Sequence, residues 1–265
     1  MQNFICPICK NEFKIVNRSL VCTNNHCFDI AKSGYINLLP ANKKNSLNPG
    51  DNKEMIQARK LIMDKGYYKE LSKNILKLIS DKKTILDCGC GTGYILDYID
   101  KSNLGYCCYG LDISKSAIET ASKINKNNKF CVASSIDIPF KDNLFDVVIV
   151  SFAPVYDKEI YRVLKKDGLF IRIQPNVYHL YELKENLYDD VILNEIEETR
   201  YDNFKLIETL SVDSKFSGTG KDFINLANMT PYSRHTAKER IETISEKNIL
   251  STRTSFLIQI YEKQN

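Results

Sequence analysis

The sequence predicts an α/β fold: a mostly parallel, seven-stranded sheet with an antiparallel edge strand, preceded by a small metal-stapled unit. Three observations carry this reading. From residue 83 onward, short apolar runs alternate with helix-like stretches, the pattern of a parallel sheet with helices on both faces. The glycine run Gly89-Cys90-Gly91-Thr92-Gly93 follows directly on an apolar strand. Near the start, Cys6, Cys9, Cys22 and His26 have the spacing of a metal site.

Taken in order, residues 1–37 carry too few apolar side chains (Phe4, Ile5, Phe13, Ile15, Val21) to fold on their own burial, so a bound metal has to supply folding energy. The pairs Cys6-x2-Cys9 and Cys22-x3-His26, with twelve residues between them, offer zinc four tetrahedral donors on two turns. Cys27 competes with His26 for the fourth position, and a redox Cys-x-x-Cys pair is the rival reading, although no thioredoxin-like strand–helix junction is legible here. Four protein donors leave no open position, which implies a structural metal. The polar stretch Ala41–Asp51 reads as a loop. Met55, Ala58, Ile62 and Met63 fall at helical spacing, as do Leu71, Ile75, Leu78 and Ile79.

The strands are expected at Thr84–Cys88, Cys107–Ile113, Lys129–Ala133, Phe145–Phe152 and Leu169–Ile173. Helices are expected at Ser114–Asn125 and Lys158–Leu164, with Lys166-Asp167-Gly168 as a stop. Phe204–Phe216 and Ser251–Tyr261 read as longer strands with two helices between them, an antiparallel pair at the edge of the same sheet.

The chain of 265 residues is 43% hydrophobic, enough for a real core. No stretch approaches the roughly 18 apolar residues of a membrane helix, and the N-terminus lacks the features of a secretory signal. The expected compartment is the cytoplasm, with no membrane partner. Cys88, Cys90, Cys107, Cys108 and Cys131 sit in or beside strand-like runs and read as small core residues. Charge is uneven. Residues 1–60 hold nine Lys/Arg against four Asp/Glu, and the remainder is nearly balanced at 28 against 29. A polyanion would therefore meet the N-terminal part, with Lys10, Lys14, Arg18, Lys43, Lys44, Arg59 and Lys60 the expected contacts.

The glycine loop is spaced G-x-G-x-G, not the G-x-G-x-x-G of a dinucleotide loop. Asp87 lies two residues before its first glycine. A carboxylate there suits an ammonium group and would face a diphosphate badly. Asp112, ending the second strand, is placed to bind ribose hydroxyls. S-adenosylmethionine satisfies both acids. Asp87, Gly89, Gly91, Gly93, Asp112 and Ser134, the last following the third strand, are the expected cofactor residues, and a methyltransferase is the expected enzyme.

With these residues in view, the chain resembles the RlmA-type 23S rRNA (guanine-N1)-methyltransferases over nearly its whole length. The stretches that carry the resemblance are Cys6-Pro7-Ile8-Cys9, Phe28–Pro40, Pro49-Gly50-Asp51, Met55–Arg59, the glycine loop, Phe130–Ser135, Ala153-Pro154 and Asn228–Pro231. The resemblance implies a class I (Rossmann-like) methyltransferase, a zinc-binding RNA-recognition domain at 1–37, a linker with helices at 38–80 and the catalytic domain at 81–265. It implies S-adenosylmethionine and structural zinc as cofactors, with Cys6, Cys9, Cys22 and His26 as ligands. It also implies a homodimer, a cleft for a 23S rRNA hairpin, and cofactor contacts from Tyr68, Gly91, Thr92 and His179. Some members of the family confer macrolide resistance. One departure stands out: relatives usually carry a tryptophan shortly after Pro231, and this chain has none. Tyr232 could stack instead. Guanine N1 carries a proton that must leave. The sequence offers only Asp157 as a base, and Asp157 reads equally as a helix cap before Lys158. A methyltransferase for a small molecule or another RNA, and a non-catalytic RNA-binding protein, remain as alternatives at this stage.

Overall fold

The computed structural model describes residues 3–40, 52–197, 200–230, 232 and 236–264. The polar loop at 41–51 lies outside these residues, with Lys43, Lys44 and Pro49-Gly50-Asp51, and so do Pro231, Ser233 and Arg234.

The N-terminal unit is a three-stranded antiparallel sheet, β1 (Phe13–Val16), β2 (Ser19–Cys22) and β3 (Cys27–Asp29), followed by the short β4 (Ile36–Asn37). Next come α1 (Lys53–Asp64), α2 (Lys69–Leu78), β5 (Thr84–Cys88), α3 (Tyr94–Asp100), β6 (Cys107–Asp112), α4 (Lys115–Ile124) and β7 (Lys129–Val132). Then follow β8 (Phe145–Ser151), α5 (Asp157–Val163), β9 (Leu164–Pro175), α6 (Tyr181–Leu187) and β10 (Phe204–Gly218). The chain closes with α7 (Gly220–Asn228), α8 (Lys238–Ser245) and β11 (Leu250–Lys263).

The main sheet runs β10-β11-β9-β8-β5-β6-β7-β4. From β9 to β4 all neighbours are parallel, and β11 is antiparallel to both β9 and β10. Seven strands are those expected from the pattern. The eighth, β4, belongs to the segment after the metal-stapled unit and pairs with β7 through Ile36↔Cys131 and Asn37↔Val132. Two residues carry no readable period, so only a neighbouring edge could reveal this strand.

Helix ends follow local chemistry. Ser114 accepts from the Ala117 N–H at the start of α4, and Thr219 with Asp222 forms a reciprocal capping box at α7. Helix α5 ends at Val163 and strand β9 begins at once, so Lys166-Asp167-Gly168 lies inside the strand, not at a helix end.

Two cores flank the sheet. One holds buried residues of α1, α2, α3, α4, α6 and α7. The other face is covered differently from the expected helices on both sides. It has α5, the Ile138–Phe140 segment, and the N-terminal unit, whose Phe4 and Leu20 are buried there with Phe13, Phe28 and Ile30 packed beside them. Phe4 is fully buried, stacks on Phe140 at 4.7 Å and meets the Tyr109 ring edge-on. The metal-stapled unit thus takes the place of a covering helix. No helix among the described residues is long and apolar enough to cross a membrane.

Candidate functional site

Both turns of the N-terminal unit are closed in the same way. Lys10 N–H donates to the Cys6 carbonyl, and Asn25 N–H to that of Cys22. Lys10 and Asn25 both take φ near +60°, a conformation Asn tolerates well. The two turns face each other. The Cys6, Cys9 and Cys22 thiols and a His26 ring nitrogen all lie within 4.8 Å of one another. Cys9 Sγ is 3.6 Å from Cys22 Sγ, and His26 Nδ1 is 3.4 Å from Cys22 Sγ. Tetrahedral zinc with Zn–S near 2.3 Å spaces its donors by about 3.5–3.8 Å, so the four side chains fit that ion. Cys27 is exposed and lies outside the group.

The second site lies at the carboxyl ends of the parallel strands, where α/β sheets bind ligands. A cavity of about 200 Å³ is lined by the glycine loop, Asp87, Asp112, Ser114, Ser151, Phe152, Ala153, Tyr68 and Arg59. Gly89 has φ +79°, and a Cβ there would stand 2.7 Å from the Ala153 Cβ. Gly93, at φ +74°, would strike Ala121 and Phe130. Only glycine permits this turn and this approach. Asp112 braces the loop: its carboxylate accepts from Gly91 N–H at 2.9 Å and Ser114 N–H at 2.8 Å.

Asp87 is buried, and its Oδ1 has no hydrogen-bond partner; the same is true of the Ser151 Oγ. Buried polar atoms are normally satisfied, and here two orphans face one cavity. Burial, with the nearby Asp112 charge, pushes the Asp87 acid up to about 7. A cation would relieve that carboxylate, which is what the ammonium of S-adenosylmethionine offers. Burial pushes the Cys88, Cys90 and Cys131 thiols up as well, so they stay neutral, as core cysteines do.

A larger cavity of about 930 Å³ adjoins the first, with Arg59, Tyr68, Phe152 and Ala153 lining both. Phe152 sits at the junction, 43% exposed, at φ +55°, a strained conformation for a bulky side chain. Its ring stacks on Tyr68 at 5.9 Å and 17°.

The structure separates the expected residues. Tyr68, Asp87, Gly89, Gly91, Thr92 and Asp112 line the first cavity, and Gly93 caps α3 behind them. His179 lines the second cavity instead. Its Nδ1 accepts from Ser255 N–H at 3.1 Å and its Nε2 meets the Tyr67 hydroxyl at 2.9 Å; burial lowers its pKa to about 4, so it is neutral. Ser134 opens the turn after β7, its carbonyl accepting from Asp137 N–H, and lines neither cavity, and nor does Asp157, the first residue of α5. Among the expected RNA contacts, Lys10 pairs with Asp137 and Lys60 with Asp64. Arg59 lines both cavities and donates to the Met229 carbonyl. Lys14 and Arg18 are exposed on the N-terminal unit. Tyr232 lines the second cavity, its ring under the Lys184 ammonium. Sequence reasoning passed over Ser151, Phe152, Arg172, Gln174 and Glu197. Arg172 and Gln174 did leave a signal: polar residues at alternate positions of an apolar strand.

Comparison with known proteins finds a match for each of the two units. Residues 4–47 match the family described as "RlmA, N-terminal", a zinc ribbon, and residues 79–212 match "Methyltransferase domain". A Bacillus subtilis protein provisionally named as a 23S rRNA (guanine-N1)-methyltransferase is 38% identical over 202 residues, covering 71% of this chain and 69% of its own. The 23S rRNA (guanine-748-N1)-methyltransferase of Streptomyces fradiae is 30% identical over 194 residues, covering 69% and 66%. A Micromonospora griseorubida protein, also provisionally named as a 23S rRNA (guanine-N1)-methyltransferase, is 26% identical over 263 residues, covering 89% and 88%. A donor set shaped for zinc, a glycine loop with an unpartnered carboxylate, and these relatives lead to one conclusion: the chain belongs to the family of 23S rRNA (guanine-N1)-methyltransferases, with S-adenosylmethionine and a structural zinc as its cofactors.

Proposed function

We propose that the chain transfers a methyl group from S-adenosylmethionine to N1 of a guanine in a hairpin of 23S rRNA. The observation that carries this is the pair of adjoining cavities, one with an unpartnered carboxylate and the other large enough for an unstacked base. When bound, the cofactor supplies a methyl on a sulfonium, already activated for in-line attack. Asp87 holds the ammonium end. Asp112 takes the ribose hydroxyls with whatever capacity its loop contacts leave. Gly89, Gly91, Thr92 and Gly93 bring the backbone close. Tyr68 and Phe152 wall the junction and exclude water, which strengthens every polar contact inside. The target guanine leaves its stack to enter the second cavity. His179 walls the second cavity, Ser134 stands outside both, and the proton acceptor belongs in the second cavity, away from Asp157.

Cys6, Cys9, Cys22 and His26 hold the zinc, and the ribbon presents Lys14 and Arg18 to the RNA backbone. Following the family resemblance, the enzyme works as a homodimer in the cytoplasm. The test is incubation with labelled S-adenosylmethionine and 23S rRNA from cells lacking the protein. Labelled 1-methylguanosine is expected in the digest. Label in another nucleoside, or label found only on a small molecule, would overturn the proposal.

A pH dependence follows from Asp87. The cationic ligand binds the ionised carboxylate, and in the ligand-free protein that form is lost as pH falls through about 7. S-adenosylhomocysteine, which keeps the ammonium, is therefore expected to bind roughly tenfold more weakly at pH 6 than at pH 8. Calorimetry at the two pH values checks this. The Asp87→Asn variant is expected to show no such slope.

A further inference from the structure

We propose that Arg172, Gln174 and Glu197 form the reader of the target base's hydrogen-bonding edge, with Glu197 accepting the N1 proton; this rests on the guanine reading given above. The argument begins in β9. Ile171 and Ile173 pack into one core, so Phe170, Arg172 and Gln174 share the other face, where Phe170 stacks on Tyr261. Arg172, Gln174 and Gln259 are all buried there. Burying a guanidinium and two amides beside an aromatic core is costly unless each finds partners.

Those partners converge on one residue. Arg172 Nη1 donates to the Glu197 carbonyl at 3.2 Å, and its other amino group meets the Glu197 carboxylate. Gln174 accepts from Glu197 N–H at 3.3 Å and donates to its carbonyl at 3.4 Å. Gln174 in turn is fixed by Gln259 at 3.0 Å. Glu197 belongs to a stretch with no regular structure, yet its N–H, carbonyl and carboxylate are all clamped from the sheet. The Glu197 side chain remains 73% exposed, on the wall of the second cavity beside Arg172 and Gln174. Buried polar groups here fix the position of one accessible carboxylate.

That arrangement complements guanine. Its Watson–Crick edge offers one acceptor, O6, and two donors, N1–H and N2–H2. A guanidinium suits the first and a carboxylate the other two, whereas adenine presents the wrong pattern. In the transfer, the N1–H electron pair forms the N1–CH3 bond while the S–CH3 pair returns to sulfur. The N1 proton passes to a Glu197 oxygen, the other oxygen stays on N2–H2, and Arg172 stabilises the charge that develops on O6.

The test uses the full chain and a synthetic RNA hairpin bearing either guanosine or inosine, which lacks the N2 amino group, at the methylated position. Wild type is expected to favour guanosine by about tenfold or more in kcat/KM. Glu197→Gln is expected to lose about 10²-fold or more in kcat and to bring the guanosine-to-inosine ratio close to one, with S-adenosylhomocysteine affinity unchanged. Arg172→Lys, a second variant, is expected to lose kcat on both RNAs while keeping the preference. A Glu197→Gln enzyme that kept wild-type kcat would overturn the proposal. So would one that lost activity with its melting temperature yet kept the wild-type ratio, because that is the signature of a loop anchor. A wild type that methylated no guanosine hairpin would overturn the guanine reading itself.

Discussion

Phe4→Ala is expected to destabilise the folded protein by about 3–5 kcal/mol, the usual result of truncating a fully buried phenylalanine. For a chain of this size the melting temperature falls by roughly 6–20 °C. Phe4 lies only two residues before the first metal-site cysteine, yet it is buried against Phe140 and Tyr109 under the main sheet. Ile5 N–H adds a backbone bond to the Pro139 carbonyl at 3.0 Å. The zinc unit is thus part of the cover of the catalytic core, and its orientation toward the catalytic cavities is fixed by packing. Phe4→Leu, which keeps most of the volume, is expected to cost less than half as much. Thermal melts of the two variants check this. A loss below about 1 kcal/mol for Phe4→Ala would mean the unit is only tethered.

Asp87→Asn is expected to move stability and binding in opposite directions. The acid stands at about 7 in the folded chain, above its ordinary 3.8, because of burial and the Asp112 charge. A raised carboxylate pKa means that ionisation opposes folding. The penalty is absent below about pH 4, grows between about 4 and 7, and is constant above that. Its full size is roughly 4 kcal/mol. Asparagine removes the charge but keeps a buried amide, so the ligand-free variant at pH 8 is expected to gain part of this, roughly 1–3 kcal/mol, and to melt several degrees higher. Affinity for S-adenosylhomocysteine is expected to fall on the order of 10²- to 10³-fold, as it does when one partner of a buried ion pair is removed. A site that sacrifices stability for binding gives both results. A carboxylate serving only the fold would give a less stable variant with unchanged affinity.

Much of this arrangement is legible in the sequence, and the limits have physical causes. Strand β5, the glycine loop and Asp87 are contiguous, so apolar run, turn and carboxylate can be read together. The metal donors are two local pairs, readable for the same reason. Arg172, Gln174 and Glu197 are about 25 residues apart at most, but their meaning depends on which face of β9 turns toward the second cavity, and only the packed sheet decides that. His179 could be placed near the site but not in the right cavity, because its contacts come from Tyr67 and Ser255, 112 and 76 residues away. The strain at Phe152 has no sequence signal, since nothing in the residue type favours φ +55°. The docking of Phe4 and the pairing of β4 with β7 are likewise tertiary events, invisible to periodicity.

The central claim is that Asp87 and the glycine loop hold the methyl donor so that its sulfur faces the cavity walled by Phe152, His179 and Glu197. A crystal structure with S-adenosylhomocysteine tests it most directly. The ligand's ammonium is predicted within about 2.7–2.9 Å of an Asp87 oxygen, its ribose beside Asp112 and its sulfur open to the larger cavity. An ammonium bound away from Asp87, or a sulfur closed off from that cavity, would contradict the account.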